Sequence, residues 1–220
     1  MYFKDFFKRN SPIFYIGIVV AVVFVFIIIL GQNNPAPTPN LQPVNEKDLI
    51  SETNNILGFK DSRVTIVEYL DYNCPYCKQI TPTIKNLLEG NKNKLRVVVK
   101  HLPLSIPEHE TSFLAASAVQ TAKRFNKAED MHYALLESPK IDKEVIMALV
   151  DRFGINKDDF SKLLESDEIK KEVNEDLQSA KNLGIESTPT FFLNGKKLDI
   201  QRQDLSTTTV AEINKLYPQQ

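Results

Sequence analysis

The chain has 220 residues, 42% hydrophobic and 25% charged, with 27 Lys and Arg against 28 Asp and Glu, a formal net charge of −1. This composition excludes a disordered chain, and the near-neutral balance gives no basic field to attract nucleic acid. The length fits one domain of ordinary size with additional segments.

Residues 1–12 carry Lys4, Lys8 and Arg9, and Ile13–Leu30 follows without a single charged residue. Eighteen residues of helix span about 27 Å at ~1.5 Å per residue, close to the ~30 Å hydrocarbon core of a bilayer. The next cation is Lys47. By the positive-inside rule, 1–12 is a cytoplasmic N-terminus, 13–30 is one transmembrane signal-anchor, and all that follows is extracytoplasmic on the cell membrane. A cleaved signal peptide competes with this reading. Its apolar core would run about 7–15 residues and end in a small-x-small site, for which Leu30-Gly31-Gln32 is a poor match. A buried core helix is the third reading, disfavoured by a chargeless run rich in β-branched residues. No cysteine directly follows the run, so a lipid-attached form is excluded. Residues 31–48 contain Pro35, Pro37, Pro39 and Pro43 and read as an extended linker. The remaining 49–220 form the globular part.

Thr65–Leu70 is rich in β-branched and aromatic residues and predicts a strand. Beyond Cys74-Pro75 the apolar spacing turns helical through Ile80, Ile84, Leu87 and Leu88 and stops at Gly90. Leu95–Val99 predicts a second strand, so the three elements form a βαβ unit with parallel strands. From Glu108 to Gly184 helical periodicity dominates, with apolar faces at Phe113, Ala116, Val119 and Ala122, at Val145, Leu149 and Phe153, and at Ile169, Val173, Leu177 and Ala180. Gly184 fits a C-cap. Thr190–Leu193 predicts a strand, Asn194-Gly195 a hairpin turn, Lys197–Ile200 its returning partner, and Val210–Leu216 a closing helix. There is no internal repeat and no phosphate-binding glycine loop.

The two cysteines of the chain, Cys74 and Cys77, form one C-x-x-C. A bridge across two residues closes almost no loop, so its worth is chemical rather than structural. With Pro75 at the first helical position, Cys74 is the expected N-cap. Its sulfur then faces free N–H groups and the positive end of the helix dipole, which favours thiolate. Cys74 attacks, and Cys77, one turn along, resolves the mixed disulfide. The competing reading is a metal-carrying or binding module, but only His101, His109 and His132 are available to complete a four-ligand site around the pair. An inert structural bridge is the other alternative.

The segment Val67-Glu68-Tyr69-Leu70-Asp71-Tyr72-Asn73-Cys74-Pro75-Tyr76-Cys77, together with Gly184-Ile185-Glu186-Ser187-Thr188-Pro189-Thr190-Phe191-Phe192, resembles the thioredoxin superfamily and its DsbA-like branch. Leu102-Pro103-Leu104 with His109, and the helix around Ala115, Ala116 and Ala118, resemble the same branch. The resemblance covers roughly Gly58 to Tyr217. It implies an α/β thioredoxin fold with an inserted helical block at about 105–184, here preceded by one transmembrane helix. It implies that Glu68 is a buried acid serving the cysteines, that Pro82 kinks the active-site helix, and that Pro189 is a cis-proline. Thr188 and Pro189, with Pro75 and Tyr76, would bind the extended substrate backbone. The expected activity is protein thiol–disulfide exchange on exported proteins, chiefly dithiol oxidation, with a reductase or isomerase as the alternative. The two thiols need no cofactor and no metal. The implied partners are exported substrates bearing thiols or disulfides and a redox partner in the membrane. Pro75-Tyr76 lacks the histidine that strong oxidants of this branch often carry between the cysteines, which argues against an extreme potential.

Overall fold

A computed structural model describes residues 19–23 and 43–218. Residues 19–23, within the expected anchor, are helical with Val19, Val20, Val22 and Val23 exposed. The rest of Ile13–Leu30, the cytoplasmic segment 1–12 and the linker up to 42 lie outside the described residues. Among the described residues no helix is long and apolar enough to cross a membrane.

The part described from residue 43 onward begins with a short helix α1 (Glu46–Leu49), whose N-cap Asn45 accepts a hydrogen bond from the Lys47 amide. Then come β1 (Asn55–Gly58), β2 (Thr65–Leu70), α2 (Pro75–Gly90) and β3 (Arg96–His101). The sheet order is β1-β3-β2-β4-β5, with β4 at Thr190–Leu193 and β5 at Lys196–Lys197. β2 and β3 run parallel, as the βαβ reading predicts, and the other pairings are antiparallel. All six residues of β2 are buried, because the central strand is covered on both faces. Side chains alternate across the sheet. Ile66 and Leu70 enter the larger core, which also holds Cys74, Cys77 and Ile84, while Val67 and Tyr69 pack on the opposite face with Leu49, Ala180 and Phe192.

Between β3 and β4 lie a helical turn (Pro107–His109) and helices α3 (Ser112–Lys123), α4 (Ala128–Glu137), α5 (Lys143–Arg152), α6 (Lys157–Leu164) and α7 (Asp167–Asn182). The thioredoxin-like α/β fold with an inserted helical block is therefore present. Asp142, Asn156 and Ser166 cap α5, α6 and α7 by accepting from backbone amides. Gly184 sits just past α7 with φ +63°, the left-handed conformation expected after a helix end.

Four details differ from the sequence reading. β1 has no counterpart in it. Four residues with one exposed glycine carry too little alternation to announce a strand, which forms by pairing with β3. β3 runs two residues further than Val99, to His101. The returning strand after the Asn194-Gly195 turn is two residues long, not Lys197–Ile200. Leu198 still donates to the Phe191 carbonyl at 2.9 Å, but Arg202 and Gln203 then turn back onto the Asp199 carbonyl. The closing helix α8 (Leu205–Leu216) begins five residues before Val210. The run Thr207-Thr208-Thr209 hides it because β-branched residues have low helix propensity. Asp204 overrides that preference by accepting from the Thr207 amide at 2.7 Å.

Candidate active site

β2 ends at Leu70 and a four-residue turn delivers Cys74 to the start of α2. The Cys74 amide donates to the Asp71 carbonyl at 3.1 Å, which closes that turn. Cys74 is the N-cap residue with extended backbone (φ −66°, ψ 120°), and Pro75 occupies the first turn. Both cysteines are thiols in this structure and both are buried, Cys77 completely. Tyr76 between them is 69% exposed. Pro82 lies inside α2, where it can donate no backbone hydrogen bond.

The Thr188–Pro189 bond is cis. The Thr188 carbonyl stands 3.4 Å from Cys74 Sγ and accepts its S–H. The Thr188 hydroxyl is buried with no hydrogen-bond partner among the described residues, so it is free to turn its hydrogen toward the sulfur. Thus Cys74, Pro75, Tyr76, Cys77, Thr188 and Pro189 come from two segments more than a hundred residues apart and meet at one end of the sheet.

The two sulfurs have opposite electrostatics. The Cys74 pKa falls from the ordinary 9.0 to about 5. A hydrogen bond from the Cys77 thiol is the largest cause. Burial opposes it, and the Thr188 side chain and the amides of Cys77 and Tyr76 add to it. Cys77 is pushed far up, first by that same hydrogen bond, then by burial and by the charge of Glu68. Ionisation is thus favoured at Cys74 and opposed at Cys77.

Glu68 lies in the middle of the central strand, opposite Val99 on β3 and Phe191 on β4. Paired residues share a sheet face, so its carboxyl points with Ile66 and Leu70 into the core that holds the cysteines. It is 3% exposed. Burial, with the Cys74 charge as a second cause, raises its pKa from 4.5 to about 8.

The histidines are engaged elsewhere. His109 pairs with Asp71 at 2.7 Å, His132 Nδ1 lies 3.0 Å from the Tyr72 hydroxyl, and His101 Nε2 lies 3.5 Å from Asn55. Among the described residues no three His, Cys, Asp or Glu gather at metal-ligand spacing.

The sequence reading gave no role to Asp71, a fully buried carboxylate three residues before Cys74. The available signal was its position, an acid at the start of the turn into the C-x-x-C. Its partners at 104, 109 and 112 are distant in sequence and silent without the fold.

Comparison with known proteins places these observations in a wider setting. The Na(+)/H(+) antiporter NhaA of Herminiimonas arsenicoxydans is 27% identical over 207 residues. The match covers 91% of this chain and 33% of the antiporter, so the chain spans about a third of that relative's length. A thioredoxin-like oxidoreductase from Silicibacter pomeroyi DSS-3 superposes with a TM-score of 0.67 at 25% identity, covering 78% of this chain and 99% of its own. The thiol-disulfide exchange protein alpha-DsbA2 from Wolbachia pipientis has the same fold, with a TM-score of 0.66 at 23% identity over 78% of this chain and 91% of its own. The family model described as Thioredoxin matches residues 51–210, and the chain belongs to that thioredoxin family.

Proposed function

We propose that the chain is an extracytoplasmic thiol:disulfide oxidoreductase that oxidises dithiols of exported proteins through Cys74 and Cys77. The observation that carries this reading is the Cys74 sulfur at the N-cap of α2, 3.4 Å from the Thr188 carbonyl, where the Cys77 thiol and backbone amides favour ionisation.

In the oxidising direction, a substrate thiolate attacks Cys74 Sγ of the Cys74–Cys77 disulfide. The new bond joins substrate sulfur to Cys74, and Cys77 leaves as a thiolate. Glu68, protonated up to about pH 8, supplies its proton. A second substrate thiolate then attacks the mixed disulfide at the substrate sulfur. The substrate leaves as a disulfide and Cys74 as the stabilised thiolate. Run backwards, the same groups act as base and nucleophile, which is the reductase alternative. In the disulfide form Cys74 has no S–H, so the Thr188 carbonyl is free to accept from the backbone of an extended substrate. Pro75, Tyr76 and Pro189 complete that surface. A membrane redox partner reoxidises the pair, and Ile13–Leu30 anchors the domain outside the cell membrane.

A thiolate stabilised only in the reduced form makes the disulfide more oxidising. A fall from 9.0 to about 5 corresponds to a shift on the order of 100 mV at roughly 30 mV per pKa unit. The expected potential, measured against a glutathione buffer, lies above about −270 mV, and the reduced form melts higher than the oxidised one. A potential at or below that value, with the oxidised form the more stable, replaces the oxidase with the reductase.

A further inference from the structure

The Asp71 carboxylate is fully buried and accepts from four donors. Oδ1 takes the Asn73 amide at 2.7 Å and the Ser112 hydroxyl at 2.5 Å. Oδ2 takes the Leu104 amide at 2.8 Å and His109 Nδ1 at 2.7 Å. Asn73 reinforces the link by donating its side-chain amide to Thr111 and Ser112, both at 3.0 Å. Three segments therefore converge on one residue: the turn 71–74, the loop after β3, and the start of the helical insertion. The Asp71 backbone takes part as well. Its carbonyl accepts from the Cys74 amide at 3.1 Å. Such a node costs a buried charge, which is tolerable only because every lone-pair direction is filled.

We propose that Asp71 is a positioning residue for Cys74: its carboxylate clamps the turn that presents Cys74 to the helical insertion, so that the insertion fixes how closely the amides of α2 hold the sulfur. This rests on the exchange reading above, since it concerns how that reading's nucleophile is held. Asp71 touches no substrate and acts through the turn. The other ionisable groups facing the cysteines, Glu68 from β2, Tyr72 from the turn and each sulfur from α2, remain in place when Asp71 is changed.

Asp71→Asn keeps the shape but turns an NH2 group toward two of the four donors. The sign of the effect separates two mechanisms. Removing a nearby negative charge by itself favours thiolate and lowers the Cys74 pKa. Releasing the clamp loosens the amides and raises it. The expected result for folded, reduced Asp71→Asn in the full chain is a Cys74 titration, followed by thiolate absorbance, moved up by about one unit, with alkylation at pH 4.5 slowed about tenfold. His109→Asn retains a donor to Asp71 and should titrate as the unmodified protein does, whereas His109→Leu and Ser112→Ala should move partway upward. If Asp71→Asn does not fold, those last two variants decide the matter. A Cys74 titration unchanged or lowered in Asp71→Asn, or unchanged in both His109→Leu and Ser112→Ala, overturns the proposal whatever happens to the melting temperature. The titration requires no turnover. A protein inert toward disulfide substrates but with the upward shift would sink the exchange reading and leave the clamp standing.

Discussion

Cys74 and Glu68 make opposite demands on the same patch of core, and their charges set how the fold responds to pH. Cys74 has a folded pKa depressed from 9.0 to about 5, so in the reduced protein its contribution to stability is present above 9 and is lost as pH falls through about 5. Glu68 has a folded pKa raised from 4.5 to about 8. Its contribution is present below 4.5 and lost as pH rises toward 8, because the unfolded carboxyl ionises freely while the buried one resists. In the disulfide form Cys74 does not titrate, and the buried His101 and His132, held down to about 4 and about 3, add stability only as pH rises to about 6.5, which leaves Glu68 as the buried group that acts above it. Urea unfolding of the oxidised protein should therefore show stability declining between about pH 6.5 and 8, with a slope of up to about 1.4 kcal/mol per pH unit from this group. Glu68→Gln should flatten that decline, and equal slopes in both proteins would mean that Glu68 is ionised in the folded state at neutral pH. The sequence placed an acid six residues before Cys74. Its burial between Val99 and Phe191, which gives it this behaviour, depends on strand pairing.

The elements that hold the site are tied together at their far end by the Asn194-Gly195 turn. Asn194 accepts from the Thr65 amide at 2.8 Å and its own amide donates to the Thr65 carbonyl at 2.9 Å. Gly195 has φ +82°, and its carbonyl accepts from Val44 at 2.8 Å. A Cβ at 195 would stand 2.4 Å from the Val44 carbonyl oxygen, a backbone atom with little room to give. Gly195→Ala should lower stability by more than about 1 kcal/mol in chemical denaturation. It should leave the reduction potential unchanged, since Thr65 is at the opposite end of β2 from the cysteines. The turn was legible because Asn-Gly suits positive φ at both positions. Its contact with residue 44, in a stretch read as linker, was not, because nothing local in a proline-rich segment signals where it docks.

At the scale of the molecule, the anchor and the thiol chemistry make one joint expectation. If Ile13–Leu30 is the proposed anchor, Lys4, Lys8 and Arg9 before it place the cysteines outside. Protease added to intact spheroplasts should digest the domain carrying Cys74 and Cys77, and protection would reverse the orientation. By itself the sequence determined what local chemistry dictates: the β-branched and aromatic strand at 65–70, the helix opened by Pro75, the parallel βαβ unit, the helical block, and a cysteine at a helix N-terminus. Those features follow from backbone sterics and side-chain periodicity within a few turns of chain. The tertiary structure decided what needs partners from far away. It joined Thr188 to Cys74, buried Glu68 beneath the pair, formed β1 on β3, and gathered four donors on Asp71. Desolvation and hydrogen bonding depend on which groups surround a site, and only the packed chain brings those groups together.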